Sequence, residues 1–299
     1  MNLRGVLAPV TTPFHPATGA ADPDALGHNL ARWLEYPLAG VVLFGSSGEG
    51  LLLDDEERPA LLAAARRALG PDRLLLAGTG AESTRRAISL AHAAAAAGAD
   101  AVLVHPPAYY RPLMDHAALC DHFTAVADAS PVPLILYQVP PALGGMPLDP
   151  ALVGKLSRHR NLAGLKDSSG DLEGLRRFVE AAVGESFAVL AGNGSVLLDS
   201  LEAGAAGGVL AVSLLAPGEC TELVRLWRAG ESGPARALQA KLAAVHQGVP
   251  VRFGVPGIKA ALDLLGYRGG PPRPPLFPLS DADRNQLRRV LAEAGLGER

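Results

Sequence analysis

Short runs rich in branched aliphatic residues alternate eight times with longer alanine- and leucine-rich runs, and this alternation restricts the fold more than any other feature of the chain. Strand-sized runs fall at residues 5–10, 40–44, 74–77, 101–104, 134–137, 162–166, 188–190 and 208–212. Helical patterns fill the gaps near 24–36, 55–69, 82–97, 115–128, 150–158, 171–183, 194–203 and 217–229. Strands that alternate with helices predict an α/β fold with a parallel sheet. Eight such units in roughly 230 residues are what a closed (β/α)8 TIM barrel needs.

An open doubly wound sheet shares the local pattern. It is disfavoured because no unit carries a G-x-G-x-x-G turn between strand and helix; Gly45-Ser46-Ser47-Gly48-Glu49-Gly50 has the wrong spacing. Polar residues also follow many different strands, as in a site ringed by eight loops. After residue 230 the alternation stops. Helical patterns remain near 234–247, 256–265 and 281–294, with the stiff segment Gly269-Gly270-Pro271-Pro272-Arg273-Pro274-Pro275 between the last two. The expected organisation is a catalytic barrel over 1–230 and an appended C-terminal helical region over 231–299, packed on the barrel.

A formal charge of −3 without a basic block gives no support for a nucleic-acid or membrane surface, so the expected partner is a small molecule. Cys120 and Cys220 lie far apart in helical patterns and read as small buried side chains. The first residues lack the apolar segment and cleavage pattern of a signal peptide. The most apolar stretch, 87–104, is interrupted by His92, Gly98 and Asp100. A cytoplasmic protein is expected.

Asn161-Leu162-Ala163-Gly164-Leu165-Lys166-Asp167-Ser168-Ser169-Gly170 is an apolar run that ends on a cation and then breaks. Of the four lysines, Lys155 and Lys241 fall in helical patterns and Lys259 follows a Pro-Gly turn; Lys166 alone ends a strand. The other strand ends offer Thr11-Thr12, Ser46-Ser47, Tyr109-Tyr110, Tyr137, Gly192-Asn193 and Ser213. A metal centre wants convergent His, Cys or carboxylate ligands, and hydroxyls predominate here, so no metal is expected. Gly192-Asn193-Gly194-Ser195 does not match the G-x-S-x-G elbow of a serine hydrolase. Glu49 and Asp167 read as supporting acids rather than the carboxylate pair of a glycosidase.

Amine chemistry remains. Burial in an apolar setting favours the neutral form of a lysine, which can attack a ketone and hold it as an imine. Tyr137, one strand away, can carry protons if a hydroxyl such as Ser46 or Ser47 polarises it. The backbone of Gly45-Ser46-Ser47-Gly48 suits a carboxylate beside the ketone, so a 2-keto acid is the expected substrate class. Taken singly, each residue has a plainer alternative: a lysine stem that packs while its head reaches water, a tight turn, a core tyrosine, an interface plug at Tyr109-Tyr110. Their placement on one rim favours the catalytic reading.

Pro9-Val10-Thr11-Thr12-Pro13-Phe14, Gly45-Ser46-Ser47-Gly48-Glu49, Tyr137-Gln138-Val139-Pro140, Gly164-Leu165-Lys166-Asp167-Ser168 and Leu190-Ala191-Gly192 together resemble the pyruvate-dependent class I aldolases, the family of dihydrodipicolinate synthase and N-acetylneuraminate lyase. The resemblance runs almost the whole length. It implies that Lys166 forms the Schiff base, that Tyr137 transfers protons, and that Ser46 and Ser47 bind the carboxylate and relay protons. Gly192 would line the pocket; Ser168 and Asn193, beside Lys166 and Gly192, are further candidates for binding substrate. No cofactor is implied beyond the covalent imine. A homotetramer is implied, in which Tyr109, or Tyr110 if the loop is shifted, enters a neighbouring subunit's site. Lys166-Asp167-Ser168-Ser169-Gly170-Asp171, residues 252–259 and residues 266–271 look similar to the 4-hydroxy-2-oxoglutarate aldolases, which implies cleavage of that keto acid to pyruvate and glyoxylate. Ala142 departs from the synthases, which carry a carboxylate-binding arginine there, and such a loss is not neutral. The alternatives are the synthase reaction, cleavage of a 2-keto-3-deoxy sugar acid, and a silent keto-acid-binding barrel.

Overall fold

Eight strands close on themselves in chain order in the computed structural model, which describes residues 1–183 and 187–297. They are β1 (Gly5–Ala8), β2 (Gly40–Leu43), β3 (Leu74–Gly78), β4 (Ala101–Val104), β5 (Leu134–Gln138), β6 (Leu162–Asp167), β7 (Ala188–Ala191) and β8 (Gly207–Val209). Every neighbouring pair is parallel, including β8 against β1. The TIM barrel predicted from the alternation is thus the fold. The expected eighth strand ran three residues further; instead Ala211–Leu214 is a 3-10 turn. Ser213 inside it is fully buried and donates to the Leu210 carbonyl at 2.7 Å. A serine that bonds its own backbone in this way favours a turn over a strand, and the bond commits the Ser213 hydroxyl to that turn.

The strands alternate their side chains between two layers. Leu7, Val42, Leu76, Leu103, Ile135, Tyr137, Leu190 and Val209 form one cluster that fills the barrel. Intervening residues such as Val41, Leu75, Val102, Leu134, Leu136 and Leu165 pack outward into the larger core beneath the helices. Helices α1 (Pro23–Trp33), α2 (Arg58–Leu69), α3 (Thr84–Ala96), α4 (His116–Ala129), α5 (Pro150–Leu156), α6 (Leu172–Ala181), α7 (Leu197–Glu202) and α8 (Pro217–Arg228) surround it. Their starts are written locally: Asp22, Ser83, Asp115, Asp149 and Asp171 accept backbone N–H groups as N-caps. Cys120 and Cys220 are buried and unpaired on α4 and α8.

Beyond the barrel lie α9 (Ser232–His246), a π-helical turn (Gln247–Val251), α10 (Arg252–Leu264) and α11 (Asp281–Glu293). One expectation fails here. Pro256-Gly257 is not a turn ahead of Lys259: α10 begins at Arg252, bends at Gly254 (φ 60°) and carries Lys259 on its buried face. The region is fastened to α1. Trp33 is fully buried, stacks on Tyr267 at 5.2 Å and donates to the Leu214 carbonyl at 3.0 Å. Asn29 exchanges two hydrogen bonds with the Arg268 backbone, at 2.9 and 2.7 Å. Among the described residues no helix is long and apolar enough to cross a membrane.

Candidate active site

Tyr137 and Lys166 are directly paired in the register of β5 and β6. Both are 5% exposed, and the Lys166 Nζ lies 4.2 Å from the centroid of the Tyr137 ring. Their neighbours in the chain lock the two strands together on the outward side. Gln138 Nε2 donates to Asp167 Oδ1 at 2.7 Å, and its Oε1 accepts the Leu148 N–H at 2.6 Å. Asp167 also accepts the Ser169 N–H and hydroxyl, at 2.9 and 3.0 Å. Burial raises the Asp167 pKa against the opposing pull of those bonds.

The loop after β2 brings Ser46 to the same place: its Oγ lies 3.3 Å from the Tyr137 hydroxyl. Backbone shape makes this geometry. Among the described residues, Phe44 and Glu49, on either side of Gly45-Ser46-Ser47-Gly48, are the non-glycine residues with left-handed φ, 59° and 53°. A bulky residue there is strained unless its surroundings impose it. Gly50 and Gly78 allow it, since a Cβ on either would stand 2.0 or 2.2 Å from the Phe44 carbonyl oxygen. Arg58 covers the Phe44 ring at 4.9 Å and donates to the carbonyls of Gly50 and Gly78 at 2.7 and 3.1 Å. From the β1 loop, the Thr12 hydroxyl donates to the Gly48 carbonyl at 2.7 Å.

Ser46 and Tyr137 form part of the wall of a cavity of about 580 Å³ at the carboxyl end of the barrel. Its walls are mainly apolar, with Arg58, Glu49, Glu82, His105 and Tyr137 as the charged or titratable groups. Buried apolar walls with few convergent polar groups are the usual form of a small-molecule site.

The sequence-predicted residues divide into three groups. Lys166, Tyr137 and Ser46 come together, with Ser47 half-buried beside them. Ser168 and Gly192 meet each other: a Cβ on Gly192 would stand 1.9 Å from the Ser168 Oγ, and the Gly192 N–H donates to the Asp167 carbonyl at 2.6 Å. Asn193 and Tyr109 stand apart. The Asn193 Oδ1 accepts the Ser195 N–H at 2.9 Å, so its side chain shapes its own turn. Tyr109 is 80% exposed and meets Tyr110 edge-on at 5.1 Å.

Sequence reasoning passed over Lys259. It is 1% exposed, forms an ion pair with Glu49, donates to the Pro271 carbonyl at 2.9 Å and lies 4.2 Å over the Phe14 ring. Burial pushes its pKa down to about 8, even though Glu49 pulls it up. A signal existed: a lysine between Ile258 and Ala260-Ala261-Leu262 interrupts an apolar run. Arg273 also lies over the Phe14 ring, at 4.1 Å, and grips Glu57 with two bonds of 2.5 and 2.6 Å. Those bonds hold the Glu57 pKa down at about 2.

Known proteins share this architecture throughout. The fold superposes on dihydrodipicolinate synthase from Aquifex aeolicus with a TM-score of 0.92 at 28% identity, covering 99% of this chain and 100% of that one. A 4-hydroxy-tetrahydrodipicolinate synthase from Methanoculleus marisnigri is 34% identical, over 98% of this chain and 99% of its own. A probable mitochondrial 4-hydroxy-2-oxoglutarate aldolase from Emericella nidulans is 36% identical, over 97% and 94%. Fold and relatives together define a barrel enzyme of the lyase type. More closely, residues 2–294 match the Dihydrodipicolinate synthetase family, and the chain belongs to it as a class I aldolase.

Proposed function

We propose that this aldolase cleaves 4-hydroxy-2-oxoglutarate to pyruvate and glyoxylate through an imine on Lys166, without a cofactor. The observation that carries the reading is the contact of the Lys166 amine with the Tyr137 ring, whose hydroxyl in turn meets Ser46. The neutral amine adds to the C2 ketone, and loss of water leaves a protonated imine. Tyr137 takes the C4 hydroxyl proton as the C3–C4 bond breaks, so the electron pair moves into an enamine and glyoxylate departs. A proton returned to C3 and addition of water then release pyruvate and free the amine. Ser46, Ser47 and the N–H groups of their loop hold the C1 carboxylate. Ser168 and Gly192, which meet each other, contact the substrate next to Lys166, and Asn193 holds the turn that follows.

The choice of glyoxylate rests on Ala142, which is exposed in the 3-10 turn Pro141–Leu143 next to the cavity wall and offers no cation to a longer aldehyde's carboxylate. The Methanoculleus relative favours a second reading, condensation of pyruvate with aspartate semialdehyde. Borohydride reduction in the presence of pyruvate, with intact mass and peptide mapping, tests the shared chemistry: no adduct on Lys166 sinks both. An adduct without turnover of any aldol substrate indicates a binding protein. A panel of glyoxylate, aspartate semialdehyde and glyceraldehyde then selects the aldehyde, and a preference for aspartate semialdehyde overturns the use of Ala142. The exposed Tyr109 and Tyr110 fit a homotetramer in which Tyr109 enters a neighbour's site; sedimentation of Y109A as well as wild type checks this, and an assembly unchanged by the substitution counts against it.

A further inference from the structure

Glu49 ends the loop that carries Ser46, and its own N–H donates to the Ser46 carbonyl at 3.2 Å. Its carboxylate, 4% exposed, is held from the far end of the chain: Lys259 pairs with one oxygen and the Arg273 backbone N–H donates to the other at 2.7 Å. The pull is anchored on every side. Lys259 and Arg273 both pack on the Phe14 ring, and Arg273 is fixed in turn by Glu57, the Leu52 carbonyl at 2.9 Å and the Gly19 carbonyl at 2.7 Å. Gly270 packs on the Phe14 backbone, where a Cβ would come within 2.9 Å of the carbonyl oxygen. A left-handed glutamate persists only where its surroundings over-determine it, and these contacts do so.

We propose that Glu49, gripped by Lys259 and the Arg273 backbone, is a positioning residue that aims the Ser46 hydroxyl at Tyr137, which makes the C-terminal segment a working part of the site. The inference rests on the aldolase reading above. A buried ion pair is weak evidence of added stability, because apolar side chains of the same shape often serve the fold as well. Its attachment to a strained loop that touches the proton-carrying tyrosine gives the pair a different use. Small misplacements of such a group are costly to catalysis: about 1 Å can cost ~10²-fold.

The test uses pyruvate alone, so it does not depend on the aldehyde. Enamine formation exchanges the pyruvate methyl protons with D2O, which proton NMR follows as kcat and KM. K259M and E49Q are compared with wild type, with circular dichroism and unfolding temperature as measures of folding. A positioning role lowers kcat about 10²-fold in the folded variants, with a smaller change in KM because the lost contact serves proton transfer. In the double variant E49Q/K259M no buried charge is left unpaired, so the unfolding temperature recovers while the exchange rate does not. Folded variants with wild-type kcat overturn the proposal, as does a double variant that regains exchange together with stability. If K259M does not fold, the E49Q rate decides alone. A wild type that forms no Lys166 adduct and exchanges no protons removes the aldolase reading and this inference with it, whereas a competent wild type with unaffected variants removes this inference alone.

Discussion

Two buried lysines serve this barrel differently, and burial alone does not tell them apart. Lys166 is 5% exposed at a strand end and faces the ring of a tyrosine; Lys259 is 1% exposed on a helix and faces a carboxylate. The deeper amine is committed three ways, to Glu49, the Pro271 carbonyl and Phe14. The shallower one lies against Tyr137, whose side chain forms part of the wall of a substrate-sized cavity. A carboxylate that satisfies a buried cation makes it a fastener, whereas an amine that faces an aromatic ring instead of a counter-charge is left available to a ligand.

Exchanging each residue in turn sharpens or breaks that contrast. K166A is expected to remove the pyruvate adduct and at least ~10⁴-fold of turnover, since the covalent step has no substitute, while its unfolding temperature moves little; retained adduct by mass spectrometry would put the nucleophile elsewhere. K259M keeps the nucleophile but loses stability, together with the ~10²-fold in kcat expected of a positioning variant. Breaking a buried pair from one side costs about 3–5 kcal/mol of stability, read from denaturant unfolding, yet the pyruvate adduct still maps to Lys166. Y137F is expected to lose about 10²-fold in kcat with the adduct retained, and a loss confined to KM would deny Tyr137 its role in proton transfer.

The smallest effect is a pH dependence. The Lys259 pKa is lowered to about 8 in the folded chain, below the ordinary ~10.4 of an unfolded lysine. Between those values the unfolded chain binds more protons, so the stability contribution from this group rises with pH through the window. Below about 8 the cost of burying the charge is felt in full. Glu49, Arg273 and Asp263 are the charged groups that act on it. Unfolding temperatures at pH 7.5 and 9.5 should therefore rise more, or fall less, in wild type than in K259M; identical pH profiles would show that Lys259 does not titrate there.

The barrel was legible in the sequence because its signals are local. Each strand is a short apolar run, and many helices begin on an Asp or Ser that caps them. Lys166, Tyr137 and Ser46 were legible for the same reason: each ends a strand or follows one directly, and a barrel gathers such ends on one rim. The clamp was not legible. Glu49 and Arg273 are 224 residues apart in the chain, and no periodicity announces that they meet. Lys259 was misread because Pro256-Gly257 has the composition of a turn, while tertiary packing carried the helix through it around a kink at Gly254. Ser213 was placed at a strand end because a hydroxyl that bonds its own backbone cannot be told in the sequence from one free for a ligand, and the Asn193 side chain likewise accepts a backbone N–H of its own turn.

Tyr137 and Lys166 occupy one rung of the β5–β6 ladder. The spacing between their backbones is therefore a constant of sheet geometry, near 4.8 Å, and owes nothing to the loops above. A ruler of that kind separates two evolutionary problems. The turn Pro141–Leu143 lies outside that ladder, so a change there leaves in place the backbone spacing between the residues that carry amine and phenol, which is set by the same hydrogen bonds that close the barrel.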